Sequence, residues 1–530
     1  MHTELALSLE EGASELLAAV GVIPKHPLVP RRGMVEALRV CRIALVTLAA
    51  TTFGLPAAAV AGDILTFHGD PNRSGHFVVP ALSWERARSL RLDENFHAKL
   101  SGHVYAQPLY RQGSDSMPPL LLMATEDDIV HAIDARSGSE IWRRSLGRPV
   151  ARSSLRCGNI SPLGVTGTPV IDATKQVVYL DAAVEGESGP RHLVFALSLK
   201  DGSSLPGWPV DAGDALARSR RNFTPRDQNQ RGALAIFDGR VYVPFGGHFG
   251  DCGEYRGVII GISLADSTNV TNWATRARGG GVWAPGGLSS DGTSLYAATG
   301  NTFGATSFSD GEMVARLAPD LHRSDDKRDF FAPLDWEALD ARDVDLGGTN
   351  PLPIDVPRPD GAQPLMLALG KDGKAYLLDR QSLGGIGGQL VVDAVSLRSI
   401  ITAPAVYPAD DGVFVAFHAD GAQCPPSQRG GGLVVLKIQA GSPPRMRTAW
   451  CAAFRGAGSA MATTTDGRAN SIVWILGAEG DNRLHGYRGD NGEVLFTGPV
   501  LPGLRHFQTL IATEDRIYIA ADGAVYAFLF

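Results

Sequence analysis

Short apolar runs alternate with polar turns along almost the whole chain. Runs of four to eight residues rich in Val, Ile, Leu, Tyr and Ala are bounded by Gly, Asp and Ser, which is the pattern typical of β-strands. Long stretches with the 3.6-residue periodicity of helices are nearly absent. The pattern therefore predicts an all-β protein built from short antiparallel strands.

One unit recurs along the chain. It consists of an apolar strand, a turn, a second apolar strand that ends in Asp or a substitute, and a polar turn with Gly that Trp often follows. Copies lie at 120–142, 177–208, 241–273, 295–320, 365–384, in a stretch that ends at 450, at 472–496 and at 517–530. Repeats of about 50 residues with short antiparallel strands are typical of β-propellers. We predict one eight-bladed propeller of four-stranded blades, with seven blades as the alternative count.

The eighth copy is cut off by the C-terminus, so its blade lacks an outer strand. We expect the segment near Trp84 to Tyr110 to supply that strand and close the ring. Most tryptophans directly follow the repeat turn, where we expect them to dock one blade onto the next. These tryptophans are Trp142, Trp208, Trp273 and Trp450.

The net charge of the chain argues against nucleic acid as a partner. The chain has 49 Lys and Arg against 56 Asp and Glu, a formal net charge of −7. Neutralising phosphates requires a basic face, so we expect no nucleic-acid partner. No stretch in the body approaches the ~20 apolar residues of a membrane span, so we expect no span.

The N-terminus has the pattern of an export signal. Arg39 and Arg42 precede the apolar run 43–55, and the small residues 59–61 (Ala-Val-Ala) resemble a cleavage site. We predict translation from Met34, with an unusually long charged region or a buried N-terminal helix as alternatives.

Cleavage after Ala61 would divide the chain into an extension with signal peptide, 1–61, and a propeller domain, 62–530. We therefore expect an exported protein, periplasmic or extracellular.

Four cysteines remain after cleavage: Cys157, Cys252, Cys424 and Cys451. An even number in an oxidising compartment indicates two disulfides, for which three connectivities are possible. We expect the pairs 424–451 and 157–252. The chain contains no C-x-x-C-H and no C-x-x-C, which argues against an attached c-type haem and against structural zinc.

The phrase AIDARSGSEIW at 132–142 resembles the PQQ-type, or quinoprotein-like, propeller repeat. The resemblance covers about residues 63–530. Within this range the sequence is similar to a group of exported bacterial propellers. The resemblance is also carried by HVYAQPLY (103–110), GVTGTPVID (164–172), QNQRGALAIFDGRVYV (228–243) and GKDGKAYLLDR (370–380). This resemblance implies the fold, but the same propeller also serves as a non-catalytic scaffold.

Oxidation of an alcohol on the quinone PQQ needs four features. A planar floor holds the quinone, and Ca²⁺ polarises its reactive carbonyl. A carboxylate accepts the proton of the substrate hydroxyl, and a cation stabilises the reduced quinone. In a propeller these groups should appear in order along the chain, about one blade apart.

Two residues match the floor and the metal. Trp283, in GGGVWAPGG, does not follow a repeat turn, and it resembles the floor tryptophan of quinoprotein dehydrogenases. Asn301 ends the strand LYAATGN and resembles a calcium-ligand asparagine. A buried core Trp and a Gly-Asn turn residue are the alternative interpretations.

Two further residues match the base and the cation. Asp345, in RDVDLGG, corresponds loosely to the catalytic base, although the local motif differs and Asp343 is nearby. Lys371, in KDGKAYLLDR, resembles the lysine that contacts the quinone. A solvated turn carboxylate and an exposed hairpin lysine are the alternatives.

A second metal ligand is matched more loosely. Asp251, in HFGDCGEYRG, lies near the place of a calcium-binding glutamate, with Glu254 as its rival; we interpret His248 as an ordinary loop histidine. The adjacent Cys-Cys pair of many alcohol dehydrogenases is missing, with only Cys157 in the comparable region. No haem domain follows.

Two main hypotheses remain, and a different hydrolytic or lyase chemistry in the same funnel is the further alternative. The first is a PQQ- and calcium-dependent dehydrogenase that oxidises an alcohol or sugar hydroxyl and passes electrons to a separate acceptor. The second is a non-catalytic propeller that binds a protein or glycan partner in the cell envelope or outside. If Trp283, Asn301, Asp345 and Lys371 meet around one central cavity, the first is favoured; if they scatter over the rim, it fails.

Overall fold

Eight four-stranded antiparallel sheets stand in a ring, so the predicted eight-bladed propeller is confirmed. The structure is a computed structural model that describes residues 62–114, 117–428 and 431–530. The predicted signal peptide within 1–61 lies outside the described residues.

The described chain begins with a segment that precedes the first blade. Its elements are β1 (His76–Val78), α1 (Trp84–Arg88), β2 (Arg91–Leu92) and β3 (Ala98–Lys99).

The first four blades follow the repeat. Blade 1 holds β4 (Leu109–Arg111), β5 (Leu120–Ala124), β6 (Ile129–Asp134) and β7 (Glu140–Ser145). Blade 2 holds β8 (Val170–Asp172), β9 (Val177–Gly186), β10 (Gly189–Ser198) and β11 (Val210–Asp211), followed by α2 (Ala212–Arg218). Blade 3 holds β12 (Gln228–Asn229), β13 (Ala235–Phe237), β14 (Arg240–Gly247), β15 (Val258–Ser263) and β16 (Val270–Ala274). After β17 (Arg278–Gly279), blade 4 holds β18 (Ser289–Ser290), β19 (Leu295–Ala298), β21 (Val314–Leu317) and β22 (Phe330–Ala332); β20 (Thr302–Phe303) pairs with β17.

The other four blades complete the ring. After α3 (Trp336–Asp340), blade 5 holds β23 (Leu352–Arg358), β24 (Gly361–Leu369), β25 (Lys374–Asp379) and β27 (Val391–Ala394), while β26 (Gly385–Ile386) extends blade 4. Blade 6 holds β28 (Ala405–Ala409), β29 (Gly412–Ala419), β30 (Gly432–Gln439) and β31 (Arg445–Ala453). Blade 7 holds β32 (Met461–Thr464), β33 (Ile472–Leu476), β34 (Arg483–Arg488) and β35 (Val494–Val500). Blade 8 holds β36 (Ile511–Ala512), β37 (Arg516–Ala521) and β38 (Ala524–Leu529).

The ring is closed by the N-terminal segment, as predicted. Strands β2 and β3 both pair antiparallel with β38, where Arg91 lies opposite Leu529 and Ala98 opposite Val525. Blade 8 is therefore built from both ends of the described chain.

Residues 64–79, which we call the channel segment, contact the innermost strands of five blades, beginning with blade 1, where Ile64 pairs with Tyr110. Leu65 O accepts a hydrogen bond from blade 2, Pro71 O from blade 4, Ser74 O from blade 6 and Gly75 O from blade 7. Because these blades surround the axis of the ring, the segment crosses the central channel. This crossing was not predicted from the sequence.

Arg73 holds the channel segment in place. Its fully buried guanidinium donates to Leu288 O at 2.9 Å, Leu234 O at 2.9 Å and Phe67 O at 3.0 Å. Burial lowers the pKa of Arg73 to about 10, so the side chain stays charged at neutral pH. These bonds add blade 3 to the blades that hold the segment and give a second bond at blade 4.

The repeat tryptophans dock blades as predicted at the two sites with a direct hydrogen bond. Trp142 Nε1 donates to Leu199 O at 2.9 Å, and Trp450 Nε1 donates to Gly489 O at 2.8 Å. At Gly492, a Cβ would lie 2.5 Å from the Trp450 ring. The glycine of one repeat turn thus makes room for the tryptophan of the blade before it.

Both expected disulfides are confirmed, Cys157–Cys252 and Cys424–Cys451, and they are consistent with an oxidising compartment. In the part of the chain that the structure describes, no helix is long and apolar enough to cross a membrane.

Candidate functional site

All five residues that the sequence analysis selected line one cavity of about 650 Å³. They are Asp251, Trp283, Asn301, Asp345 and Lys371. The site is therefore a single place and not a set of residues scattered over the rim.

The topology of a blade explains this convergence. In a four-stranded antiparallel sheet, the loop between the second and third strands and the connection to the next blade emerge at the same end. Asp251, Asn301 and Lys371 lie in the first kind of loop, and Trp283 and Asp345 lie in connections between blades. All five therefore project from one face of the ring.

Close backbone packing positions Trp283. A Cβ on Gly246 would lie 3.2 Å from Trp283 Cβ, and one on Gly281 would lie 3.1 Å from Gly246 Cα. A side chain at either position would force the two loops apart by a few tenths of an ångström. The indole is half-buried and lines the cavity.

Asp345 is buried at the centre of a hydrogen-bonded group. Its Oδ1 accepts from Asn301 N at 2.8 Å, and its Oδ2 accepts from Trp283 Nε1 at 3.0 Å and pairs with Lys371 Nζ at 2.7 Å. A Cβ on Gly300 would lie 2.9 Å from Asp345 Oδ1. Three donors from different loops thus fix the orientation of this carboxylate.

Lys371 links this group to Asp343. Its Nζ lies 2.9 Å from Asp343 Oδ1 and 5.3 Å from the centroid of the Trp283 ring, within the range of a cation–π contact. Burial works to lower the pKa of Lys371, but Asp345 and Asp343 outweigh it and raise the pKa above its usual value. Lys371 is therefore a cation at neutral pH.

Glu312, which the sequence did not predict, binds the backbone next to Asp345. Its Oε2 accepts from Leu346 N at 2.5 Å. Burial, and then the charge of Asp345, raise the pKa of Glu312 well above its usual value. A protonated Glu312 adds no negative charge beside Asp345. No local motif marks this residue.

The proposed metal ligands differ in their surroundings. The side-chain amide of Asn301 makes no hydrogen bond to any described residue and lines the cavity. Asp251 accepts from Tyr255 Oη at 2.5 Å through Oδ1, and burial raises the pKa of Asp251. Its rival Glu254 is exposed, 3.5 Å from Arg278, and does not line the cavity. Within the described ranges, no three His, Cys, Asp or Glu side chains are grouped to hold a metal ion.

The disulfide Cys157–Cys252 lies beside the mouth of the cavity. The cavity-lining loop 248–251 directly precedes Cys252, and Asn159 follows Cys157 closely. His248 is buried, and burial lowers its pKa to about 4. It is neutral at pH 7, as fits a structural histidine.

The other side of the cavity holds residues that the sequence analysis did not select. Arg231 precedes β13, and Phe507 lies between blades 7 and 8, with the guanidinium 5.2 Å from the ring centroid. His506 Nδ1 pairs with Glu479 Oε1 at 2.8 Å. Their loops face the same side of the ring as the selected ones, but nothing in the local sequence shows that they reach the centre.

Comparison with known proteins identifies the fold. No family model matches the sequence, and no curated protein matches it. A quinohaemoprotein alcohol dehydrogenase from Comamonas testosteroni is similar in structure, with 16% identity, a TM-score of 0.62, and coverage of 89% of this chain and 81% of the other.

Two further structures agree. A quinohaemoprotein alcohol dehydrogenase from Pseudomonas putida has 15% identity and a TM-score of 0.64, covering 89% of this chain and 81% of the other. A europium-containing methanol dehydrogenase has 12% identity and a TM-score of 0.61, covering 88% and 98%. Identities this low show the fold alone, an eight-bladed β-propeller like that of these dehydrogenases, which agrees with the fold that the repeat resemblance implied.

Proposed function

We propose that this chain is an exported PQQ- and calcium-dependent dehydrogenase that oxidises the hydroxyl group of an alcohol or a sugar. A separate carrier would accept the electrons. The observation that carries the proposal is the direct contact of Trp283, Asp345 and Lys371 within one cavity of a quinoprotein-like propeller. Shared fold alone does not imply shared chemistry, so the proposal rests on this group.

The cavity fits a planar quinone. Its volume of about 650 Å³ falls in the range of cofactor sites. Trp283 would form the floor, because its half-buried indole lines the cavity. Lys371 lies close to that ring and would stabilise the negative charge that reduction places on a quinone.

The described residues would supply only part of the oxygen ligands that a calcium ion needs. Calcium prefers six to eight oxygen ligands. Asn301 would offer its free amide oxygen, and Asp251 would offer the carboxylate oxygen that Tyr255 does not use. Oxygens of the cofactor and of water would have to complete the coordination, since the described residues hold no larger cluster of acidic or imidazole ligands.

Asp345 is our candidate for the general base. PQQ, when bound, supplies the two-electron oxidant, and the chain has to remove the hydroxyl proton. The three donors around Asp345 hold its carboxylate in one orientation beside the cavity. Lys371 would pair with this carboxylate before the proton transfer and keep its other partner, Asp343, after it.

Export is part of the proposal. The predicted signal peptide within 1–61 would direct the chain out of the cytoplasm, and the two disulfides fit an oxidising compartment. The proposed location is the periplasm or the extracellular medium.

Titration of the exported protein that begins at Gly62 with PQQ in calcium buffer tests the function. We expect saturable, calcium-dependent binding by isothermal titration calorimetry, and quenching of tryptophan fluorescence. Trp283→Ala should abolish both signals, whereas Trp142→Phe, at a blade-docking site, should retain them. Calorimetry is needed because Trp283→Ala also removes a reporter.

Absence of PQQ binding up to high micromolar concentration would overturn the proposal. The chain would then be better described as a propeller that kept the repeat and binds a protein or glycan partner.

A further inference from the structure

The charged side chains that line the cavity are paired, with one exception. Lys371 pairs with Asp345 and Asp343, and Glu479 pairs with His506, while Asp251 accepts from Tyr255. Arg231 forms no hydrogen bond or ion pair with any residue that the structure describes. Its guanidinium lies 5.2 Å from the centroid of the Phe507 ring.

The backbone around Arg231 is fixed. Gln230 Nε2 donates to Gly232 O at 2.5 Å, and a Cβ on Gly232 would lie 2.9 Å from Pro244 Cγ. A side chain at position 232 would therefore press against Pro244. Arg231 lines the cavity between these two packed positions.

Phe507, under the guanidinium, has a strained backbone. Its φ is +69°, a left-handed conformation that is an outlier for a bulky residue. Bonds to neighbouring loops maintain it: Phe507 N donates to Ala457 O at 2.7 Å, and Phe507 O accepts from Ser459 Oγ at 2.9 Å. Such strain persists where the surroundings enforce it and clusters at ligand sites.

No acidic side chain among the described residues forms an ion pair with Arg231. The carboxyl of Glu126 lies within electrostatic range, but it accepts from Gly164 N at 2.7 Å and Thr166 Oγ1 at 2.8 Å. Burial raises the pKa of Glu126 to about 7, so it carries a partial charge at neutral pH. A partly buried cation without a partner is costly unless an anion binds beside it.

We propose that Arg231 binds a carboxylate of the ligand that fills this cavity, and that the cavity therefore takes an organic anion. The guanidinium is suited to this because it donates two parallel hydrogen bonds to a carboxylate. The inference rests on the proposed function for the identity of the ligand. Within that function, it makes the substrate a hydroxy acid or an acidic sugar; the carboxylates of the quinone are the other source of the same group.

Benzene-1,2,4-tricarboxylate, an aromatic anion without a quinone, tests the anion site by calorimetry. We expect the wild-type protein to bind it and Arg231→Gln to weaken binding about 10-fold to 100-fold, since a charge-assisted hydrogen bond is lost. Arg231→Lys should restore part of the loss, and the matched control Arg218→Gln, at an exposed arginine, should bind normally. The melting temperatures of the variants show whether they fold.

Two further arms assign the source of the anion. If the carboxylate belongs to the quinone, Arg231→Gln weakens PQQ but not its trimethyl ester. If it belongs to the substrate, PQQ binds both proteins equally, and gluconate, but not neutral sorbitol, binds the PQQ-loaded wild type better than the variant.

Equal binding of the tricarboxylate by wild type and a folded Arg231→Gln, or no binding by either, would overturn the inference. The tricarboxylate arm does not depend on the quinone. A protein that binds this anion through Arg231 but does not bind PQQ would contradict the proposed function and support the inference.

Discussion

Asp345 is the residue on which the proposed chemistry depends most. Its carboxylate is buried and contacts Asn301, Trp283 and Lys371. We predict that Asp345→Asn lowers turnover of the PQQ-loaded protein at least about 100-fold, because general-base catalysis contributes that much. PQQ affinity should stay within a few-fold of wild type, as measured by calorimetry beside dye-linked turnover.

Asp343 provides the matched control for this prediction. It is the other carboxylate partner of Lys371 at 2.9 Å, but its side chain is 57% exposed. Asp343→Asn should leave turnover within a few-fold of wild type. Equal losses in the two variants would mean that the ion pair with Lys371 matters and the base does not.

The residues of the site were predictable where a local motif carries them. Trp283 follows a glycine run, Asn301 ends a strand, and Lys371 opens a hairpin, and each pattern is visible within ten residues of sequence. Arg231 and Phe507 meet across the ring from blades that are far apart in the chain. A single sequence contains no signal for such a contact.

The contact between neighbouring blades depends on a glycine in the repeat turn. Gly492 has a φ of +78°, and a Cβ there would lie 2.5 Å from the Trp450 ring. Gly239 has a φ of +70°, and nothing lies within 4 Å of its Cβ position. We predict that Gly239→Ala costs about 1 kcal/mol of unfolding free energy from backbone strain.

Gly492→Ala should cost about 1–3 kcal/mol more, because the new methyl group also displaces the indole. Urea denaturation of the two variants measures the difference. Equal destabilisation would show that the tryptophan can move without cost, which would contradict its role in docking blade 6 onto blade 7.

The two disulfides should have different effects, although both are predicted to stabilise the fold. Cys157–Cys252 ties down the loop 248–251 at the cavity, whereas Cys424–Cys451 lies within blade 6. Replacing either pair with serines should lower the melting temperature. Only the first replacement should also weaken binding of PQQ or of the tricarboxylate, by a few-fold to about tenfold, because a less ordered loop binds less tightly.

If both replacements leave ligand affinity unchanged, the loop at the cavity is ordered without its disulfide. Calorimetry at a temperature well below both melting transitions separates the effect on binding from the effect on stability.

The elements of the blades could be predicted because each repeat carries its own strand pattern. The last repeat lacks an outer strand, so the sequence predicted that another segment supplies it. Strand β2, which pairs with β38, lies within the predicted segment. Strand β1 was not predicted, because it pairs parallel with β32 about 390 residues away. The channel segment has no repeat pattern, and its contacts come from many blades.

The whole ring is held together by the N-terminal part of the described chain. This part supplies the outer strands of blade 8 and also fills the central channel. Its buried groups should therefore affect the stability of the complete propeller and not of one blade.

His68 in the channel segment should make this stability depend on pH. It is fully buried and stacks on Phe67 with ring centroids 4.2 Å apart. Burial lowers the pKa of His68 to about 3 from an ordinary value of 6.5. Below 6.5 the unfolded chain binds a proton that the folded chain excludes, so stability falls as the pH falls from 6.5 towards 3. One such group contributes about 1.4 kcal/mol per pH unit.

His68→Asn should remove this contribution, because asparagine does not titrate and tolerates the φ of +58° at this position. We predict that its unfolding free energy declines less steeply between about pH 6 and about pH 4, whatever its value at neutral pH. Urea denaturation across this range measures the slope, with His97→Asn at an exposed histidine as the control. A variant with the wild-type slope would mean that His68 can be protonated in the folded protein, which requires the channel segment to leave the channel at acidic pH.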